Sequence, residues 1–340
     1  MHPSPLQLEA SKHLKVILSL AIQHTPKQSA VVVSDSQSSL ALTLTQAYQQ
    51  ALPGARFIHF DAVTPADVLA AFEPLQPQDL VVLIQSTSFR LEAFRIRIEL
   101  FRRGLKVIEH PHLARITGDQ EKYYIDALAY DPEYFRSTGR ALKQRIDQAR
   151  SARIMSGNEC LVFDSPLEPA KLNIGDYTDM KNIGGQFPIG EVFTEAQNLE
   201  SVNGSVRIFA FADTTFSVSQ PETPITLVIR RGRVTDTVDS IPEFDRVLAN
   251  IRRDEGEIWV RELGFGLNRA FSRDRIVSDI GTYERMCGIH LSLGAKHAVY
   301  KKPGFRPADT KHHVDVFAVS ETVCLDDETV FKQNAWQVGH

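Results

Sequence analysis

Four short apolar runs, separated by helix-length amphipathic stretches, constrain the first half of this chain more than any other feature. The runs are Ala30-Val31-Val32-Val33, Arg56-Phe57-Ile58-His59-Phe60, Leu80-Val81-Val82-Leu83-Ile84 and Leu105-Lys106-Val107-Ile108-Glu109. Between them, Ser34-Asp35-Ser36 reads as the cap of a helix through Leu40 and Tyr48. Pro65 opens a second helix at its favoured first position, and a third spans 91–101 before Gly104. Strands joined by crossovers of this length pair in parallel, and continuous apolar runs mark a sheet covered on both faces. Helical patterns over 120–130 and 132–150 lead out of the layer. No G-x-G-x-x-G follows Val33 and no G-x-x-x-x-G-K-[ST] occurs, so the layer reads as a Rossmann-like scaffold without a recognisable nucleotide cradle.

After about residue 151 the texture changes to short β-rich runs: Arg207 to Phe211, Ile225 to Ile229, Ile258-Trp259-Val260, and Val314 to Leu325. Asp326-Asp327 then precedes Thr329-Val330-Phe331, which predicts a closing hairpin. Glycine and proline punctuate 175–190 as a long loop. A length of 340 residues exceeds a usual single core. The expected architecture is therefore α/β, with a Rossmann-like α/β scaffold domain over 1–150 and a β-rich α+β domain over 151–340.

Composition narrows the function classes. A net charge of -4 argues against a nucleic-acid binder, and the basic clusters at 95–103 and 230–233 read as solvated faces of amphipathic segments. Cys160, Cys287 and Cys324 are far apart and form no C-x-x-C pair, which disfavours both a disulfide framework and a thiolate zinc site. Without a leading cationic segment or an apolar run of membrane-spanning length, the expectation is a cytoplasmic protein with no membrane partner.

Candidate chemistry concentrates in the second half. His313-Val314-Asp315 opens an alternating run, and alternate residues of a strand share a face, so imidazole and carboxylate are presented together. Such a pair suits a divalent metal with mixed nitrogen and oxygen ligands. His290 lies in a strand-like segment bracketed by Gly288 and Gly294; a core histidine satisfied by backbone is the competing reading. Glu262 follows the apolar Ile258-Trp259-Val260, where a carboxylate is costly unless paired or metal-bound. Its neighbour Arg261 should point to the opposite face. Glu191 follows the glycine-rich loop and opens an apolar run. Three carboxylates and two imidazoles can hold two divalent ions bridged by a carboxylate, although spacing does not establish that the five converge.

The ordered pieces Gly190-Glu191-Val192-Phe193-Thr194, Glu262-Leu263-Gly264-Phe265-Gly266-Leu267-Asn268, Gly288-Ile289-His290-Leu291-Ser292-Leu293-Gly294 and His313-Val314-Asp315 resemble those of the aminopeptidase T family. These are metallo-aminopeptidases also grouped with the leucyl aminopeptidases. The similarity runs over roughly 154–317 and includes Ser201-Val202-Asn203-Gly204. It implies a two-metal centre of zinc, cobalt or manganese held by Glu191, Glu262, His290, His313 and Asp315. It also implies hydrolysis of a small peptide or amide, and a homodimer. His297 stands where the family carries a tyrosine; it reads either as a general base, catalytic beside Glu191, or as an exposed loop histidine. A related branch, the 2,5-dihydroxypyridine dioxygenases, is similar in fold and uses one iron(II) held by two histidines and an aspartate. There the position of Glu262 is a histidine, and those of Glu191 and His290 are not ligands. The alternatives are thus a non-peptidase metalloenzyme such as an iron(II) dioxygenase, or a catalytically silent relative.

Overall fold

A computed structural model describes residues 3–89, 96–306 and 308–339. By packing, the chain groups into two compact units: 1–132 with 175–189, and 133–174 with 190–340. This grouping differs from a single cut at residue 150. The helix Pro132–Gln148 turns a stripe of Phe135, Thr138, Leu142 and Ile146 inward and groups almost wholly with the second unit. Its Gly139 lets Ile174 approach so closely that a Cβ would lie 2.6 Å from that side chain.

The first unit is built on a parallel five-stranded sheet. Its order is Arg56–His59, Ala30–Ser34, Leu80–Ile84, Lys106–His110 and Gly184–Gln186. The first four strands match the four apolar runs. The fifth lies in the segment expected to be loop, where Gly184 and Gly185 carry no apolar signal and pairing to Val107 and Ile108 supplies the order. Val31, Val33, Val81, Leu83 and Val107 pack on Val68, Phe72 and Leu100 from two helices, while Val32, Val82 and Ile108 are equally buried on the other face. Burial on both sides explains why these strands read as uninterrupted apolar runs.

The helix Ser39–Ala51 is capped by Ser38, whose side chain accepts from Ala41 N at 3.2 Å, rather than within 34–36. Asp35 instead accepts from Ser86 N at 2.8 Å, tying the ends of two neighbouring strands. Thr64 and Asp67 form a reciprocal cap on Pro65–Phe72. The helix expected over 91–101 begins outside the described residues, which resume with the helix Ile96–Arg102.

The second unit is dominated by antiparallel pairing. Across its sheet, Val202–Ala212, Val314–Ala318, Gly288–Leu293, Val260–Gly266, Glu191–Thr194 and Lys171–Asn173 are successive neighbours. The β-rich run from Val314 to Leu325 holds two strands. Val314–Ala318 pairs with Gly288–Leu293 and Val202–Ala212, whereas Thr322–Leu325 pairs with Ala152–Ser156. The closing hairpin onto Glu328–Lys332 is present, with Asp326 at φ 51° in the turn. Among the described residues, no helix is long and apolar enough to cross a membrane. All three cysteines are free.

Candidate metal centre

Register alone puts the candidate residues on one face. In antiparallel strands, directly paired residues project to the same side, as do residues two apart along a strand. Glu262 pairs with Ser292, and Ser292 with Asp315. Two positions along, Gly264 pairs with His290; two further, Gly266 pairs with Glu191. Glu262, Asp315, His290 and Glu191 therefore project from the same side of four adjacent strands. His313, immediately before the strand Val314–Ala318, reaches the same region. Gly264 is required by this layout, because a Cβ there would lie 2.1 Å from His290 Nε2.

The side chains close into two groups that could hold a metal ion: Glu191, Glu262 and His290, and Glu262, His313 and Asp315. Glu262 is common to both. His290 Nε2 lies 3.3 Å from Glu191 Oε1 and 3.3 Å from Glu262 Oε1, and His313 Nε2 lies 3.1 Å from Asp315 Oδ1. An ion bound tetrahedrally at about 2.0–2.1 Å would hold neighbouring ligand atoms about 3.3 Å apart. The donor spacing fits such an ion.

The protonation chemistry of the same contacts calls for a positive charge there. His313 Nδ1 is 3.0 Å from the Lys296 carbonyl, which only accepts, so Nδ1 carries the proton. In the neutral ring, Nε2 then presents a lone pair to Asp315 Oδ1, a buried atom with no hydrogen-bond partner. Two acceptors facing each other require a cation or a proton between them. Without metal, protons fill that role. Burial by itself lowers the His290 pKa, but the hydrogen bonds and charges of Glu191 and Glu262 overcome it and push it up to about 10. Burial is likewise outweighed at His313, where Asp315 raises the value to about 9. Burial would raise Glu262, yet the neighbouring imidazoles of His290 and His297 hold it well below the usual carboxylate range.

His297 is 9% exposed and not a loose loop residue. Its Nδ1 is 2.9 Å from Glu195 Oε2 and its Nε2 is 3.0 Å from Glu262 Oε2. Against the lowering effect of burial, these two carboxylates raise its pKa. Glu195 is also the partner of Arg261: Nε donates to Oε1 at 2.7 Å and Nη2 to Oε2 at 3.2 Å, with both side chains almost fully buried. A bulge between Val260 and Glu262 gives Arg261 room to turn away from its neighbour. Arg285 Nη1 approaches Glu191 Oε2 at 3.2 Å, leaving Oε1 for His290. Sequence reading missed Glu195 and Arg285. A signal for Glu195 was available: an arginine in a buried strand needs its own anion, and Glu195 immediately follows the piece that carries Glu191.

Cavities of about 500 Å³, lined by Trp259, Lys302 and Phe305 among others, and about 910 Å³, lined by Arg273, Cys287 and Lys332 among others, lie in the second unit. None of the five candidate residues lines either one. The open side of the centre is at His313, whose side chain is 30% exposed, against 8% or less for the other four.

No protein-family model and no curated protein matches this chain. Among solved structures, it is similar to a 2,5-dihydroxypyridine dioxygenase from Pseudomonas putida, with a TM-score of 0.65 and 16% identity, covering 97% of each chain. It is also similar to AmpT from Thermus thermophilus, with a TM-score of 0.54 and 12% identity, covering 98% of this chain and 100% of that one. At such identities the likeness is one of fold.

Proposed function

We propose that the protein is a two-metal hydrolase that cleaves a small peptide or related amide at its N-terminal residue. The observation that carries this reading is the sharing of Glu262 between the two groups, which suits a carboxylate bridging two divalent ions. Glu191, Glu262 and His290 would hold one ion; Glu262, His313 and Asp315 would hold the other. Bound there, the pair would supply an activated water and polarise the scissile carbonyl.

The chain's own residues do the rest. Arg285 occupies one oxygen of Glu191 and so orients the other toward His290. Lys296 sets the His313 tautomer through its carbonyl. His297, held at Nδ1 by Glu195, keeps a proton beside Glu262 and is the proton carrier in this reading. In the net reaction water adds to the carbonyl carbon, the C–N bond breaks, and the leaving amine gains a proton. The exposed side of His313 is where substrate would enter.

A second reading, a one-iron oxygenase, is favoured by the higher structural likeness to the dioxygenase. Against it, the group around His313 has one histidine and two carboxylates, whereas the usual iron triad has two histidines and one carboxylate. Turnover of aminoacyl-amides by protein loaded with zinc, cobalt or manganese tests the proposal. Amine release that disappears on chelation is the expected result. Oxygen uptake with iron(II), and no amide cleavage with any metal, would replace the first reading with the second.

A further inference from the structure

The chain leaves the strand Gly288–Leu293 and returns at Val314–Ala318, carrying His297 near the start of the excursion and His313 at its end. The two ends are bonded to each other, with Lys296 N donating to His312 O at 3.0 Å. Glu255, the last residue of the helix Pro242–Glu255, grips both ends from outside the centre. Its Oε2 accepts from Ala295 N at 2.7 Å, and its Oε1 accepts from Lys311 N at 2.6 Å and His312 N at 2.7 Å. Three short bonds to a carboxylate are of the strong, charge-assisted kind.

We propose that Glu255 is a positioning residue for the group of Glu262, His313 and Asp315, acting as a staple that fixes the backbone on which His313 is mounted. The proposal rests on the metal-binding reading above. Glu191, Glu262 and His290 all sit inside paired strands, so their group needs no such help. His313 lies just outside its strand. The outgoing end of the excursion has a second anchor, since Arg261 donates to the Ala295 and Tyr300 carbonyls. The returning end, Lys311-His312, depends on Glu255 for both of its backbone amides, while the His312 ring is held separately, its Nε2 2.8 Å from Asp254 Oδ2. A ligand on a backbone already held in place binds without first losing the freedom of that segment.

The dependence is therefore asymmetric, and that makes it testable. Glu255→Gln keeps the size of the side chain but turns one acceptor oxygen into a donor that cannot take an amide hydrogen. In full-length protein, cobalt(II) titrated against a chromophoric chelator should show one ion weakened by roughly 10–100-fold, the effect typical of outer-shell partners. The other ion should keep its affinity and its visible absorption spectrum. Glu255→Asp, which keeps the charge but shortens the reach, should weaken the same ion. Hydrogen exchange at Lys311 and His312 should speed up in the metal-free Glu255→Gln protein, a readout independent of metal. Equal weakening of both ions, or wild-type affinity for both, would overturn the proposal alone. A wild-type protein that takes up no cobalt would remove the two-metal reading and this proposal together, whatever the exchange rates show.

Discussion

Gly264→Ala isolates the contribution of empty space to the centre. The residue is not in the left-handed region, so alanine meets no backbone strain there, and the added methyl is the whole perturbation. That methyl carbon would lie 2.1 Å from His290 Nε2 and Cε1. Ordinary contact needs about 3.5 Å, so the ring must retreat by about 1.4 Å. Metal–ligand distances tolerate only about 0.2 Å, and His290 would leave the coordination sphere. Two effects on stability oppose each other: overpacking costs about 1–3 kcal/mol, and removing a glycine from the unfolded chain returns about 0.4–1 kcal/mol. The metal-free variant should therefore be destabilised by at most about 2.6 kcal/mol in urea unfolding, while its affinity for one ion falls about 100-fold or more. Gly54→Ala, where nothing lies within 4 Å of the new carbon, is the matched control and should leave metal binding unchanged. Full affinity for both ions in Gly264→Ala would show that His290 is not a ligand.

Two further outcomes follow from the electrostatics. Glu195→Gln strands the buried Arg261 guanidinium without its anion and should cost about 3–5 kcal/mol in equilibrium unfolding; a loss below about 1 kcal/mol would mean that Arg261 finds compensation elsewhere. In chelated protein, the raised values of about 10 at His290 and about 9 at His313 give stability that is complete below the ordinary value of 6.5 and lost as pH climbs through the raised ones. Thermal midpoints of chelated protein should fall across that alkaline window. Saturating metal should flatten the fall, because the ion replaces the protons. A chelated protein with no loss there would contradict the buried acid–imidazole contacts.

The parts of the fold legible in the sequence are those whose signal is local. Val31 to Val33 and Val81 to Leu83 are buried on both faces, and continuous apolar runs say so directly. Gly184–Gln186 has no such run; its order comes from the strand beside it, which no local pattern reports. The helix cap at Ser38 was hidden among closely spaced capping residues, Ser34, Asp35, Ser36, Ser38 and Ser39, among which tertiary contacts choose, Asp35 being taken by Ser86. In the second unit, the pieces carrying Glu191, Glu262, His290, His313 and Asp315 were readable as strand openings and spaced pairs. Their convergence was not, because it depends on register across four strands, with Glu262 beside Ser292 and Ser292 beside Asp315. Gly264 leaves the space that the His290 ring occupies, whereas a Cβ at Gly266 would meet the Met286 carbonyl; neither need shows in the sequence.

The central claim is that one carboxylate serves two ions. Metal content after equilibrium dialysis of wild-type, Glu191→Ala and Glu262→Ala protein measures it directly. The shared position of Glu262 predicts about two ions, about one and about none per chain, in that order. A Glu262→Ala protein that keeps as many ions as the Glu191→Ala protein would contradict it.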